Sequence, residues 1–202
     1  IVAIDSSSDA GIWIASYVGL LFRDRNATQH KELASILPGS TLVDGKIMTI
    51  KCDAKGIWIG FRATGLQYIE FADASSLHVW STTEGSPLSS NSVSAILPHE
   101  SGRTLVGTYG GGVNFVSVNG DTEVFSIGDN HVIFLHSTVD GTILVGTESG
   151  TYQLDTHTGH AEKLQLLESH EASQTKPVIW DMVDTDSGDM WLATMHHGLF
   201  VS

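Results

Sequence analysis

One short unit recurs five times along the chain, always with the same grammar. Gly11-Ile12-Trp13-Ile14-Ala15-Ser16 is followed by Gly56-Ile57-Trp58-Ile59-Gly60-Phe61 and Gly102-Arg103-Thr104-Leu105-Val106-Gly107-Thr108. Gly141-Thr142-Ile143-Leu144-Val145-Gly146-Thr147 and Gly188-Asp189-Met190-Trp191-Leu192-Ala193-Thr194 complete the set. Aligned on the small residue (Ala15, Gly60, Gly107, Gly146, Ala193), the copies are spaced by 45, 47, 39 and 47 residues. A period of about 40–45 residues with no helical phase matches a four-stranded blade repeated radially. The predicted fold is all-β: a β-propeller of five consecutive four-stranded blades, the last one incomplete. The blades are expected at residues 1–40, 41–86, 87–127, 128–172 and 173–202.

Each unit reads as four strands. The first precedes an acidic turn: Ile1–Ile4, Ile47–Cys52, Val93–Leu97, Val132–His136 and Val178–Val183. The second carries the Trp/Leu and Gly/Ala signature. The third follows the next glycine: Gly19–Phe22, Gly65–Phe71, Gly112–Val118, Gly150–Asp155 and Gly198–Val201. The fourth is more variable, near Leu33–Leu37, Leu77–Ser81, Thr122–Ile127 and Ala161–Leu166. Turns such as Ser8-Asp9-Ala10-Gly11, Asp53-Ala54-Lys55-Gly56, Val139-Asp140-Gly141 and Asp186-Ser187-Gly188 suit an Asp that accepts a backbone N–H two residues on. Glu100-Ser101-Gly102 breaks that rule and should close less tightly. Because these acids recur at one place in every unit, turn chemistry explains them better than metal binding. The second strands are apolar at successive positions, so both of their faces must be covered. The small residue that follows lets a neighbour approach closely.

Composition narrows the partners. The 202 residues carry a net charge of −13, and 41% are hydrophobic. A packed core is expected, and nucleic acid and anionic membrane surfaces are disfavoured for want of basic surface. Cys52 is the single cysteine; it has no internal partner and suits a small buried position. No apolar run approaches the ~18 residues of a membrane span. Unit five stops after its third strand, so the chain is expected to be part of a seven-bladed or larger propeller.

The joined pattern is more specific than any one strand. Pro87-Leu88-Ser89-Ser90-Asn91-Ser92-Val93-Ser94-Ala95-Ile96 runs through an acidic turn into Thr104–Val113. Leu42–Gly60 and Val178–Thr194 repeat it. This pattern resembles the two-component regulator propeller repeat, although Leu105 and Leu144 stand where that repeat favours Trp. The resemblance implies the periplasmic sensor region of a hybrid histidine kinase or diguanylate cyclase. A membrane helix and the catalytic module would then follow outside these residues. It also implies a small extracytoplasmic ligand, a saccharide among the candidates, and a homodimeric receptor. No cofactor, metal or catalytic residue is expected in the segment itself.

Propeller ligands commonly meet the face made by the connections between second and third strands and those leading from a fourth strand into the next first strand, an analogy at the level of fold. Those connections hold Tyr17, Arg62, Tyr109, Glu148 and His196, which differ from unit to unit while the strands repeat. Residues released from the packing rule are natural recognition residues. Tyr17 and Tyr109 offer amphipathic contact area, and Arg62 a fork for carboxylate or sulfate. Neighbouring His196 and His197 would point to opposite faces of a strand and rarely share an ion outside a loop. Two other readings stay open. A glycan hydrolase or lyase could use His196 or His131 as a base, although a sialidase needs clustered arginines and only Arg62 of four reaches this face. A scaffold for protein assembly is the other.

Overall fold

Strands that are apolar on both sides need a neighbour on both sides, and five antiparallel sheets standing side by side provide it. The computed structural model describes residues 1–7, 11–17, 19–83, 87–166, 177–185 and 188–201. Ser8, Asp9, Ala10, Asp186 and Ser187, assigned to turns from the sequence, lie outside the described residues.

Sheet one comprises β1 (Ala3–Ser7), β2 (Gly11–Ser16), β3 (Gly19–Asp24) and β4 (Lys31–Glu32). A short helix, α1 (Leu33–Ile36), follows it. Sheet two comprises β5 (Ile47–Cys52), β6 (Gly56–Phe61), β7 (Leu66–Glu70) and β8 (His78–Trp80). Sheet three comprises β9 (Val93–Pro98), β10 (Thr104–Thr108), β11 (Gly112–Val116) and β12 (Thr122–Phe125). Sheet four comprises β13 (Val132–Ser137), β14 (Ile143–Thr147), β15 (Gly150–Leu154) and β16 (Ala161–Leu164). Sheet five holds β17 (Ile179–Asp184), β18 (Met190–Thr194) and β19 (Gly198–Val201). Within every sheet the strands pair in chain order. The first strands β1, β5, β9, β13 and β17 lie against one another in sequence, which makes them the hub of a radial array. The fold is a β-propeller.

Four separate apolar clusters fill the four seams. Trp13, Ala15 and Phe22 of sheet one pack with Ile47, Ile57 and Ile59 of sheet two. Trp58, Tyr68 and Trp80 meet Val93, Ile96 and Val106 of sheet three. Leu105 and Phe115 meet Val132, Ile143 and Val145 of sheet four. Leu144 and Phe134 meet Ile179, Met182 and Leu192 of sheet five. Each second strand thus sends its Trp or Leu forward and its next residue backward. Exposure is 1% at Trp13, 1% at Trp58, 0% at Leu105 and 3% at Leu144, but 38% at Trp191, whose sheet has no successor among the described residues. The small residue of the signature works as expected. A Cβ on Gly60 would lie 2.5 Å from Val93, and one on Gly107 2.5 Å from Val132, each on the next sheet's first strand.

Two local expectations fail. The segment predicted as the fourth strand near Leu33–Leu37 is instead α1, and β4 is reduced to two residues. Leu and Ala favour a helix over an extended run, and one turn suffices to bury both Leu33 and Leu37 in the first seam. The turn at Glu100-Ser101-Gly102 is not loose. His99 Nδ1 accepts the Ser101 N–H at 3.2 Å, and the Gly102 N–H bonds the His99 carbonyl at 3.0 Å. An imidazole nitrogen there takes the place of the usual carboxylate. Elsewhere the expected chemistry holds: Asp53 Oδ1 accepts from Lys55 N at 2.7 Å and Gly56 N at 2.8 Å, and Asp140 Oδ1 from Thr142 N at 3.2 Å. Asp53 also receives Trp58 Nε1 at 2.8 Å and the Tyr68 hydroxyl at 3.1 Å, tying the turn to the second seam. Cys52 is half-buried, and desolvation, reinforced by Asp5, pushes its thiol up to about 12, so it is inert.

The turns set a pH dependence. Hydroxyl bonds from Ser75, Thr138 and Thr158 hold Asp73, Asp140 and Asp155 below the ordinary carboxylate range. Burial pushes Asp129 up, but bonds from His131 and Ser149 outweigh it and the net shift is downward. A folded-state pKa below the unfolded one adds stability above the unfolded value, and this is lost as pH falls through the folded one. The urea midpoint should therefore stay level from about pH 7 to about pH 5 and fall below about pH 4. A midpoint that rises on acidification below pH 4 would contradict this.

Candidate functional site

Backbone hydrogen bonds fix the entry to the first strands of sheets two to five. At one end the connection into the first strand meets the connection between the second and third. Arg62 N donates to the Lys46 carbonyl at 2.9 Å, Tyr109 N to Ser92 at 2.8 Å, Glu148 N to His131 at 3.3 Å and Met195 N to Val178 at 3.0 Å. The third-strand glycine then reaches the next sheet: Gly65 N donates to Asn91 O at 3.0 Å and Gly112 N to Asn130 O at 3.1 Å. Buried amides hold the same segments from below. Gln67 Nε2 donates to Thr41 O at 2.6 Å, and Asn114 Nδ2 to Ser89 Oγ at 2.7 Å. The connections therefore form one fixed face rather than independent loops.

Just inside this face, the first strands of sheets two to five each carry a bulge. The register shifts leave Met48, Ser94, Ile133 and Trp180 without a partner at equivalent places. A bulge re-aims a side chain; at these places the Trp180 ring is exposed, while Met48, Ser94 and Ile133 are half-buried. Ser94 uses its position to bridge sheets, donating to Val132 O at 2.7 Å.

The polar centre of the face spans the seam of sheets three and four. The Tyr109 hydroxyl donates to Glu148 Oε1 at 2.6 Å. The Tyr109 ring stands edge-on to His131 at 4.5 Å. His131 N and Nδ1 contact Asp129 Oδ1 at 3.0 and 3.1 Å, while Asp129 Oδ2 accepts Ser149 N at 2.9 Å. The bond to Glu148 raises the Tyr109 phenol above its ordinary range, so it stays a neutral donor. Glu148 also lines a cleft of about 280 Å³ at the seam of sheets four and five. Ser149, Lys163, Gln165, Pro177 and Val178 share the lining.

Of the five residues selected from sequence, two meet directly: Tyr109 and Glu148. Tyr17 and Arg62 are joined through Lys46, whose Nζ lies 6.0 Å from the Tyr17 ring centre and whose carbonyl holds Arg62 N. His196 lies in the exposed turn between β18 and β19 and joins neither pair. Among the described residues no three His, Cys, Asp or Glu side chains gather as a metal site. Asp129, Lys46 and Lys163 were not selected from sequence. They lie before first strands or at the end of a fourth strand, the parts of the repeat that vary most in length. The signal available was Asp129-Asn130-His131 standing in phase with Ser90-Asn91-Ser92.

Comparison with solved structures gives the same fold as the repeat. The chain is similar to the extracellular domain assigned to hybrid two-component system BT4673 of B. thetaiotaomicron, with 18% identity and a TM-score of 0.75. That match covers 99% of this chain and 26% of the other. A second such domain, from system BT3049 of the same organism, gives 16% identity and a TM-score of 0.52, covering 99% of this chain and 33% of the other. A catalytically inactive virginiamycin B lyase from Staphylococcus aureus, solved with quinupristin, gives 12% identity and a TM-score of 0.70, covering 99% and 68%. The chain spans about a quarter to a third of the length of these two extracellular domains. No family model and no curated protein matches it. These likenesses establish the propeller fold. Among the described residues no helix is long and apolar enough to cross a membrane.

Proposed function

We propose that the chain is the ligand-sensing part of an extracytoplasmic, periplasmic receptor in a two-component or cyclic-dinucleotide signalling system, and is not itself catalytic. The observation that carries this reading is the meeting of Tyr109 and Glu148. Two residues exempt from the repeat, on successive sheets, converge beside a cleft on one rigid face. The likeness to two extracellular domains assigned to hybrid two-component systems supports it. A sensor needs a ligand that favours one receptor arrangement over another. A site spanning seams between sheets can report occupancy as a small change in their relative position. Any histidine kinase, cyclase or membrane helix belongs to the rest of the receptor, where a homodimer would transmit the signal.

A thermal-shift panel of saccharides, amino acids and organic acids tests the reading, because a ligand that binds only the folded form raises its melting temperature. One chemical class should raise it, and Glu148→Gln or Tyr109→Phe should cut the shift while leaving the unliganded melting temperature nearly unchanged. Chemical conversion of the stabilising compound during incubation would favour the lyase reading instead, with His131, held by Asp129, as its base.

A further inference from the structure

We infer that the cleft between sheets four and five binds a free aliphatic α-amino acid, an inference that rests on the sensor reading and gives its ligand a class. Two opposite charges at the cleft are each held in place. Glu148 is fixed by the Tyr109 hydroxyl at 2.6 Å and by its own N–H on His131 O. Lys163 Nζ donates to Ser149 O at 2.6 Å and lies 5.5 Å from the Tyr152 ring centre. The lysine tip runs close over Gly150, where a Cβ would stand 2.8 Å from Lys163 Cε. Each group keeps bonding capacity, because an ammonium has three donors and a carboxylate about four acceptor sites. Anchored charges cost less ordering when a ligand arrives, and charge-assisted bonds are the strong ones.

Besides the polar Ser149, Thr151 and Gln165, the cleft has an aliphatic wall of Leu164, Leu166, Pro177, Val178 and Ile179. One anion, one cation and an aliphatic wall match a ligand with an ammonium, a carboxylate and a branched hydrocarbon side chain. The volume, about 280 Å³, is at the lower end for small-molecule sites and suits a molecule of this size. Among the described residues no aromatic ring lines the cleft, where a pyranose would stack.

Calorimetric titration of the chain with L-leucine, L-leucinamide and 4-methylpentanoate tests the assignment. L-leucine should bind, and loss of either the carboxylate or the amine should weaken binding at least about tenfold, the cost of one charge-assisted bond. Glu148→Gln should lose affinity for L-leucine but not for 4-methylpentanoate, and Lys163→Met should lose affinity for L-leucine but not for L-leucinamide. Both substitutions are on exposed side chains, and unchanged melting of the unliganded variants checks their folding. No binding of L-leucine at millimolar concentration, or L-leucine affinity in both variants equal to that of the unsubstituted protein, overturns the inference. If a saccharide stabilises the protein while L-leucine does not, the amino-acid assignment falls and the sensor reading stands.

Discussion

Trp58→Ala should lower the unfolding free energy by about 3–5 kcal/mol, the range for removing a large aromatic side chain from a packed core. Trp58 sits in the seam of sheets two and three, against Tyr68 at 4.3 Å and Trp80 at 5.4 Å between ring centres. Its Nε1 also bonds Asp53, so the substitution removes contact area and leaves a carboxylate oxygen short of a donor. Trp191→Ala, the same position in sheet five, should cost less than about 1.5 kcal/mol, because its ring is already partly in water. Urea unfolding of the two variants makes the comparison. Equal losses would mean that Trp191 is as well covered as Trp58 and would contradict its partial exposure.

Gly65→Ala should cost about 2–4 kcal/mol, combining a left-handed backbone with a collision against main chain. Gly65 has φ +94°, and an added Cβ would strike the Trp80 carbonyl oxygen of the fourth strand. A carbonyl in a ladder cannot swing aside as a side-chain tip can. The same glycine donates to Asn91 O at the entrance to sheet three, so the strain passes into the face that carries the candidate site. Gly120→Ala is the control: its φ is +101°, but a Cβ there meets nothing within 4 Å. It should cost about 1 kcal/mol, from backbone conformation alone. Equal losses at the two positions would show that the collision is not real.

These two positions show what could be read from the chain. Trp13, Trp58, Leu105 and Leu144 declared the fold because a repeat that is apolar on consecutive residues has one economical solution, stacking against its own copies. Face assignments followed from strand alternation. The fourth strand of sheet one was misread because Leu33 and Leu37 carry an apolar signal that either a strand or one helical turn satisfies. The bulges at Met48, Ser94, Ile133 and Trp180 left no mark in composition; a bulge is defined by pairing, which a single strand does not contain. The candidate site was half legible. Tyr109 and Glu148 stood out as exceptions to the repeat, yet their hydrogen bond joins residues 39 apart. Asp129 and Lys163 looked like ordinary turn and edge residues. Only the seam geometry shows that one orders a connection and the other faces a cleft.

The arrangement of the sheets rests on where the tryptophans lie, and fluorine NMR of the 202-residue chain carrying 5-fluorotryptophan reads this directly. The chain has five tryptophans, and the resonances can be assigned by Trp→Phe substitution. The signals of Trp13, Trp58 and Trp80 should resist broadening by a soluble paramagnetic agent, while those of Trp180 and Trp191 should broaden strongly. Strong broadening at Trp13 or Trp58, or full protection of Trp191 in the monomeric chain, would contradict the stacking of these sheets.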